Sequence, residues 1–394
     1  MRESVKTIAF LASAAALAAM AILIEPDRRT SAIFSETGQS FFPAYTNTQD
    51  VKTIEVIDYD EATAAARPFQ VAFEKGRWVL PSHNNYVIDV GDRLVKTAGA
   101  LVDLKKENVV TEATADHAKF GVIDPLDPKN PSLTGRGKHV TLRDARKEVL
   151  ADFILGKAVE GKAGYKYVRV PNDKRVYAVK TDADPSARFA DWVNAGLLSI
   201  ATPTIRKVNV VSYSVDEQQG RLANVDQVAL IQENGQWQLT GGTSFNKNAV
   251  VAMAATLHGL KIVDARPKPP SMAEGLKSGK LEMTLEGAMS MRQRGFMLTP
   301  NGRLLAKEGE MIVETAQGLV YVLRFGEVSA TGEENRYLFV TVSYDPERAA
   351  KYGDTTSSGE RLARELNNRF ADWYYVIRGA DFQKLRLKRK DVAR

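Results

Sequence analysis

Two short stretches of the sequence approach known phosphate-binding or catalytic motifs, and each lacks a part that the chemistry needs. Residues 156–163, GKAVEGKA, have the glycine and lysine spacing of a phosphate-binding loop, but Ala163 stands where that motif has Ser or Thr for magnesium. Residues 244–247, SFNK, match S-x-x-K, although no partner motif accompanies them. The first stretch therefore predicts a glycine-rich hairpin loop, and the second a polar loop that leads into a helix.

The remaining residue types that could perform chemistry do not group in the sequence. The four histidines are scattered without a metal-binding pair, and with no cysteine there is no thiolate ligand, disulfide or cysteine nucleophile. No spacing among the 48 carboxylates singles out a pair that could flank a glycosidic bond. We therefore expect no enzymatic activity, no catalytic residues, no metal site and no cofactor. A cell-envelope hydrolase that acts on glycan or lipid remains the alternative.

The N-terminus carries an apolar segment that predicts a membrane anchor. Residues 7–24, TIAFLASAAALAAMAILI, contain no charge and would form a helix about 27 Å long, against roughly 30 Å of bilayer hydrocarbon. Arg2 and Lys6 precede the segment, which favours a cytoplasmic N-terminus. We expect a single-pass inner-membrane protein with the bulk of the chain in the periplasm. Cleavage of the segment would instead give a secreted module, which at a net charge of +6 could bind acidic polymers.

Two halves of the chain repeat the same design. The turns Lys75-Gly76 and Asn234-Gly235 are each followed two residues later by a tryptophan, and the pentapeptide RFADW occurs at 188–192 and again at 369–373. These patterns predict an internal repeat in which both pentapeptides lie on helices and pack their aromatic side chains onto a sheet. The residues that mark this structural repeat are Trp78, Trp237, Phe189, Trp192, Phe370 and Trp373.

The order of these patterns gives a predicted domain layout. An anchor and its flank occupy residues 1–28, a tether 29–50, a first unit 51–203, and a second unit with a basic C-terminal tail 204–394. Several hairpin signals and a few helices per unit indicate an α+β fold class. We therefore expect an N-terminal transmembrane helix followed by two duplicated units of largely antiparallel sheet with packed helices.

Several phrases of the sequence resemble one bacterial family. They are FFPAY at 41–45, GRWVL at 76–80, KFGVIDPLDP at 119–128 and GYKYVRVPNDKRVYAV at 164–179. Together they look like the family catalogued as domain of unknown function 4340. The resemblance implies a membrane-anchored, extracytoplasmic protein associated with gliding-type ABC transporter components. It implies no catalytic residues.

The expected function is accessory or scaffold binding within a transporter-like envelope assembly. The predicted partners are the membrane, through residues 7–24, and a protein of that assembly, with no nucleic acid. The stretch Pro267–Arg294 is a candidate contact region because the internal repeat does not account for it. The basic tail is a second candidate for membrane or partner contact, through Lys384, Arg386, Lys388, Arg389, Lys390 and Arg394.

Overall fold

Antiparallel strands form most of the regular structure, as the alternation of apolar and polar residues dictates. In the first strand, Ile54 and Val56 are fully buried while Glu55 between them is partly exposed. The computed structural model describes residues 37–88, 91–102, 104–193, 196–198, 200–216, 221–242, 244–281, 283–299, 302–330, 334–353 and 358–392.

The strands of the first half of the described residues are β1 (Thr53–Asp60), β2 (Ala65–Glu74), β3 (Arg77–Leu80), β4 (Tyr86–Ile88), β5 (Asn108–Thr111), β6 (Lys138–Arg143), β7 (Val149–Ala158), β8 (Tyr165–Arg169) and β9 (Val176–Lys180). Those of the second half are β10 (Ile205–Asp216), β11 (Arg221–Glu233), β12 (Gln236–Leu239), β13 (Ile262–Pro267), β14 (Phe296–Leu298), β15 (Leu304–Ala306), β16 (Glu310–Thr315), β17 (Leu319–Val328), β18 (Arg336–Tyr344) and β19 (Trp373–Ile377).

The strands form three sheets, and the two large ones have the same connectivity. The nine-stranded sheet has the order β4-β3-β2-β1-β6-β7-β8-β9-β5, and the eight-stranded sheet has the order β12-β11-β10-β16-β17-β18-β19-β13. Strand β14 pairs with β15 in the third sheet. Apart from β4, each strand of the first sheet has a counterpart at the same place in the order and in the chain sequence of the second.

Nine short helices accompany the sheets in the described residues. Local capping fixes several of their starts: the Asn246 side chain accepts from the Ala249 amide, and the Thr284 hydroxyl accepts from the Gly287 amide. The helices are α1 (Gly91–Gly99), α2 (His117–Phe120), α3 (Lys247–His258), α4 (Pro270–Ser278), α5 (Leu285–Arg292), α6 (Pro346–Lys351), α7 (Ser358–Ala371), α8 (Gly379–Leu385) and α9 (Arg389–Val392).

The two-residue turns before the matching tryptophans have the backbone that such hairpins require. Lys75 and Gly76 have φ values of 49° and 79°, and Asn234 and Gly235 have values of 48° and 76°. Positive φ at both central residues suits the right-handed twist of the flanking strands. The first turn joins β2 to β3, and the second joins β11 to β12.

The described residues divide into two compact units. The first comprises residues up to 72 together with 91–187, and the second comprises 73–90 together with the chain from 188 onward. The division falls after residue 187, whereas the sequence predicted it after 203, and the hairpin β3–β4 belongs to the second unit. One buried cluster of the first unit consists of Phe120, Val122, Ile154 and Val176, and one of the second consists of Met272, Met291, Phe296, Ala306, Phe339 and Tyr374.

The described structure corrects the predicted fold class and location. Among the described helices, none is long and apolar enough to cross a membrane. Even α7, at 14 residues, would extend only about 21 Å and exposes charged side chains along its length. This finding contradicts the fold with a transmembrane helix and the single-pass inner-membrane location, and the fold is one of antiparallel sheets with short helices. The predicted anchor, residues 7–24, lies outside the described residues.

Candidate functional site

The two RFADW pentapeptides have different structures and different places in the strand order. The first follows β9, and its Phe189 begins a single 3₁₀ turn, Phe189–Asp191. The second precedes β19, so that Phe370 ends up in the last turn of α7 while Trp373 is already in the strand. Since β9 and β19 are counterparts in the two sheets, the identical letters are not equivalent in the fold.

Two of the predicted aromatic residues, Phe189 and Trp373, nevertheless contact the same neighbour, Tyr86. The ring of Tyr86 lies 5.2 Å from that of Phe189 and 4.8 Å from that of Trp373, between ring centres. The predicted tryptophans of the hairpins lie in counterpart strands, Trp78 in β3 and Trp237 in β12. Trp192 and Phe370 are buried. These aromatic residues therefore contribute to packing.

The basic tail does not present its charges as one set. Leu385 and Leu387 alternate with charged residues, but Leu385 ends α8 and Leu387 lies in the short connection to α9, so no strand forms there. The Arg386 guanidinium is only 21% exposed and lies 2.7 Å from a carboxylate oxygen of Glu308. Arg394 lies outside the described residues. The exposed members of the set in the described part of the chain are Lys384, Arg389 and Lys390, with Lys388 partly buried.

A groove of about 740 Å³ lies in the second unit, and all the residues that line it fall within Pro267–Arg294. One wall is a proline-rich turn where β13 gives way to α4. The other wall is the exposed face of α5, where Leu285 is 78% exposed and Met289 is 55% exposed. These two residues are four apart, so they share one face of the helix. The lining residues are Pro267, Lys268, Pro269, Pro270, Leu285, Glu286, Met289, Ser290, Gln293 and Arg294.

Lys268 fixes the proline wall to the rest of the second unit. Its buried ammonium donates to the carbonyls of Phe370, in the last turn of α7, at 2.7 Å and of Trp373, at the start of β19, at 2.6 Å. The same group lies 4.2 Å from the ring centre of Phe339 and 5.1 Å from that of Tyr374. Burial lowers the pKa of Lys268 to about 7. A lysine that donates to a carbonyl at the helix end and to one at the start of the next strand holds the turn in one conformation.

Arg294 fixes the helical side of the groove. Its Nη1 donates to the Ser290 carbonyl at 2.8 Å and to the Ser290 hydroxyl at 3.1 Å. The guanidinium also lies 4.8 Å from the ring centre of Tyr374 and 5.8 Å from that of Tyr337. Because Lys268 and Arg294 both contact the Tyr374 ring, one buried aromatic side chain supports both walls.

The first unit has a polar cavity of about 490 Å³. Two stretches distant in sequence form it: residues 114–130, which include α2, and Arg169–Lys174, which begins at the last residue of β8. Parts of the phrases KFGVIDPLDP and GYKYVRVPNDKRVYAV thus meet at one site. The lining residues are Thr114, His117, Asp124, Leu126, Asp127, Pro128, Lys129, Asn130, Arg169, Asn172, Asp173 and Lys174.

Arg136 orders the loop on one side of this cavity. Its guanidinium donates to five loop carbonyls, with distances from 2.7 Å at Asn130 to 3.3 Å at Asp127. It also packs on the ring of Tyr59 at 4.8 Å from the ring centre. These bonds give the loop a defined shape although it contains little regular structure.

His139 lies between two carboxylates beside the same cavity. Its Nε2 is 2.8 Å from Asp152 Oδ1, and its Nδ1 is 3.3 Å from Asp124 Oδ1. Burial opposes the charged ring, but the two carboxylates outweigh it and raise the pKa of His139 to about 9. Burial likewise acts against the low pKa values of Asp124 and Asp152, and hydrogen bonding to His139 overcomes it. The ring is therefore an imidazolium at neutral pH, with both nitrogens engaged as donors.

For the groove, the sequence indicated the stretch Pro267–Arg294 but not which of its residues form the lining, and for the polar cavity it indicated no site. Thr141 faces Asp152 across β6 and β7, so His139 reaches Asp152 diagonally, a relation that only the strand register specifies. The stretches considered as motifs behave as loops: residues 156–163 join the end of β7 to the turn before β8, and residues 244–247 lead into α3. No group of three or more His, Asp or Glu side chains in the described residues could hold a metal ion.

The described residues form two units of antiparallel sheet with short helices, with an open groove in the second unit and a polar cavity in the first. The family model for the domain of unknown function DUF4340 matches residues 78–279, just over half of the chain. The chain therefore belongs to this family. No curated protein and no solved structure is significantly similar to it.

Proposed function

We propose that the protein is a binding component, an accessory or scaffold protein rather than an enzyme, and that it holds a protein partner in the groove of its second unit. The observation that carries the proposal is the pair of exposed apolar side chains on α5, Leu285 and Met289, across from a wall of prolines. Apolar side chains that are exposed together and rimmed by polar groups are typical of interaction surfaces.

The fixed walls of the groove support this proposal. The ammonium of Lys268 and the guanidinium of Arg294 hold the two sides through buried or partly buried hydrogen bonds and aromatic contacts. A surface that is already ordered loses little conformational freedom when a partner binds, so more of the burial energy contributes to affinity. The proposed partner is a component of a transporter-like assembly, as the family resemblance implies.

The alternative of an envelope hydrolase draws no support from the histidine cluster. A general base needs a free nitrogen lone pair near pH 7, but His139 donates from both nitrogens to Asp124 and Asp152 and has a pKa of about 9. The arrangement instead suits a structural role, in which the charged His139 ring on β6 links Asp152 on β7 to Asp124 in the loop before β6.

Site-specific photo-crosslinking in native cells tests the proposed function. A benzoylphenylalanine at position 289 is expected to capture one partner, and Leu285→Glu in the same protein is expected to abolish the capture by adding an uncompensated charge to the apolar contact. The matched control carries the probe at Val251, which is 59% exposed on α3 of the same unit and does not line the groove.

Crosslinking at positions 289 and 251, with and without Leu285→Glu, either supports or contradicts the proposal. A crosslink at position 289 that is absent at position 251 and lost with Leu285→Glu supports the proposal. Equal crosslinking at both positions, or capture that survives Leu285→Glu in a protein with unchanged circular dichroism, contradicts it. Leu285→Glu is not expected to disturb the fold because the side chain is 78% exposed.

A further inference from the structure

The polar cavity of the first unit contains a buried arginine with one unused face. Arg169 is only 7% exposed, and it lines the cavity. Its Nε donates to the Val122 carbonyl at 2.9 Å, and its Nη1 donates to the Asp173 carbonyl at 3.1 Å. Among the described residues no acceptor bonds to its Nη2, so two N–H donors of a buried cation are left for the cavity.

The carboxylates around the cavity are already engaged elsewhere. Asp124 accepts from His139 and from the Leu126 amide, and Asp173 is paired with Arg175 at 3.0 Å. Asp127 accepts from the Lys129 amide at 2.9 Å. None of the three lies within ion-pair distance of the Arg169 guanidinium in the described residues. Each of the three carboxylates therefore already accepts at least one hydrogen bond from the protein.

The lysines at the rim of the cavity, unlike Asp124 and Asp173, are not engaged in ion pairs with described residues. Lys129 and Lys174 line the cavity and are exposed, and neither ammonium makes an ion pair with a described residue. Free donors thus surround the cavity: two ammonium groups at the mouth and one guanidinium face inside. Asp124, Asp127 and Asp173 offset part of this positive charge at longer range, but the free donors of the cavity complement a negatively charged ligand.

We propose that this cavity is a binding site for a small anion, whose carboxylate or phosphate group is held by the free face of Arg169 and by Lys129 and Lys174. A guanidinium presents paired N–H groups that match the oxygens of a carboxylate or phosphate. The cavity of about 490 Å³ has the size of a small-molecule site. This site is independent of the groove in the second unit.

Isothermal titration calorimetry of the full chain tests the site with inorganic phosphate and with citrate, and glycerol serves as an uncharged control. Binding of phosphate alone assigns a phosphoryl ligand, and binding of citrate alone assigns a carboxylate ligand. The double variant Lys129→Ala/Lys174→Ala is expected to weaken binding by roughly tenfold or more, since it removes two charge-assisted hydrogen bonds.

The control variant is Lys180→Ala, which removes an exposed lysine at the end of β9 in the same unit, away from the cavity. It is expected to leave the affinity unchanged. Arg169→Gln is expected to abolish binding, and circular dichroism checks that the protein is folded, because Arg169 also supports two carbonyls. Absence of binding for both anions, or equal affinity in the double variant and the control, overturns the proposal.

Discussion

Replacement of His139 by glutamine removes the cation that separates two carboxylates in the first unit. In the folded protein the pKa of His139 is about 9, and in the unfolded chain it has the ordinary value of 6.5. Because the folded value is the higher one, the charged ring stabilises the fold fully below about pH 6.5, and this stabilisation is lost as the pH rises through about 9.

The size of the effect follows from the same values. The interval from 6.5 to about 9, at about 1.4 kcal/mol for each pH unit, sets a ceiling of about 3.5 kcal/mol. Solvent screens part of this interaction because the Asp152 side chain is 37% exposed. We therefore expect His139→Gln to lower the free energy of unfolding by about 1 to 2 kcal/mol near pH 6 and by almost nothing near pH 10.

Urea denaturation of both proteins across this pH range measures the effect, and NMR titration of the ring protons measures the pKa directly. The difference between wild type and variant is the informative quantity, because Lys268 contributes an opposite slope in both proteins. Its folded pKa of about 7 lies below the unfolded value of 10.5, so its contribution to stability rises with pH between these values. His258→Gln, in the second unit, is the control. Parallel pH curves for wild type and His139→Gln, or a His139 ring that titrates near 6.5, would refute the reasoning.

Two further substitutions test how the sites are held. Lys268→Met is expected to destabilise the second unit by about 2 to 4 kcal/mol, measured by thermal unfolding, because the carbonyls of Phe370 and Trp373 lose their buried donor; a cost below about 0.5 kcal/mol would contradict that role. Gly135→Ala is expected to cost more than Gly161→Ala in the same assay. Both glycines have positive φ, 74° and 72°, but only at Gly135 would a Cβ overlap neighbouring backbone, so equal costs would argue against a close approach there.

Local sequence accounts for the turns and the helix starts. Lys75-Gly76 and Asn234-Gly235 adopt positive φ because glycine permits it and the hairpin twist demands it. Asn246 and Thr284 cap the helices that follow them through their own side chains. In each case the interacting atoms are within a few residues of one another, so the pattern can be read along the chain.

An identical short sequence adopts different structures where its surroundings in the fold differ. RFADW forms a 3₁₀ turn after β9 but completes a helix and begins a strand at β19. Apolar and charged residues alternate around Leu385 and Leu387 as they would in a strand, yet Leu385 ends α8 and Leu387 lies in the connection to α9, and both are buried. Short apolar runs are compatible with either periodicity, and packing against the rest of the unit selects one.

The sequence by itself determined the family, the tight turns and the stretch Pro267–Arg294 as a region apart from the internal repeat. Only the tertiary structure decided which polar groups meet. Lys268 reaches a carbonyl 102 residues away, and Arg169 reaches one 47 residues away. Because each of these cations is buried, its hydrogen-bond acceptors must come from the protein itself. Strand order and packing, rather than proximity in the chain, determine which groups those are.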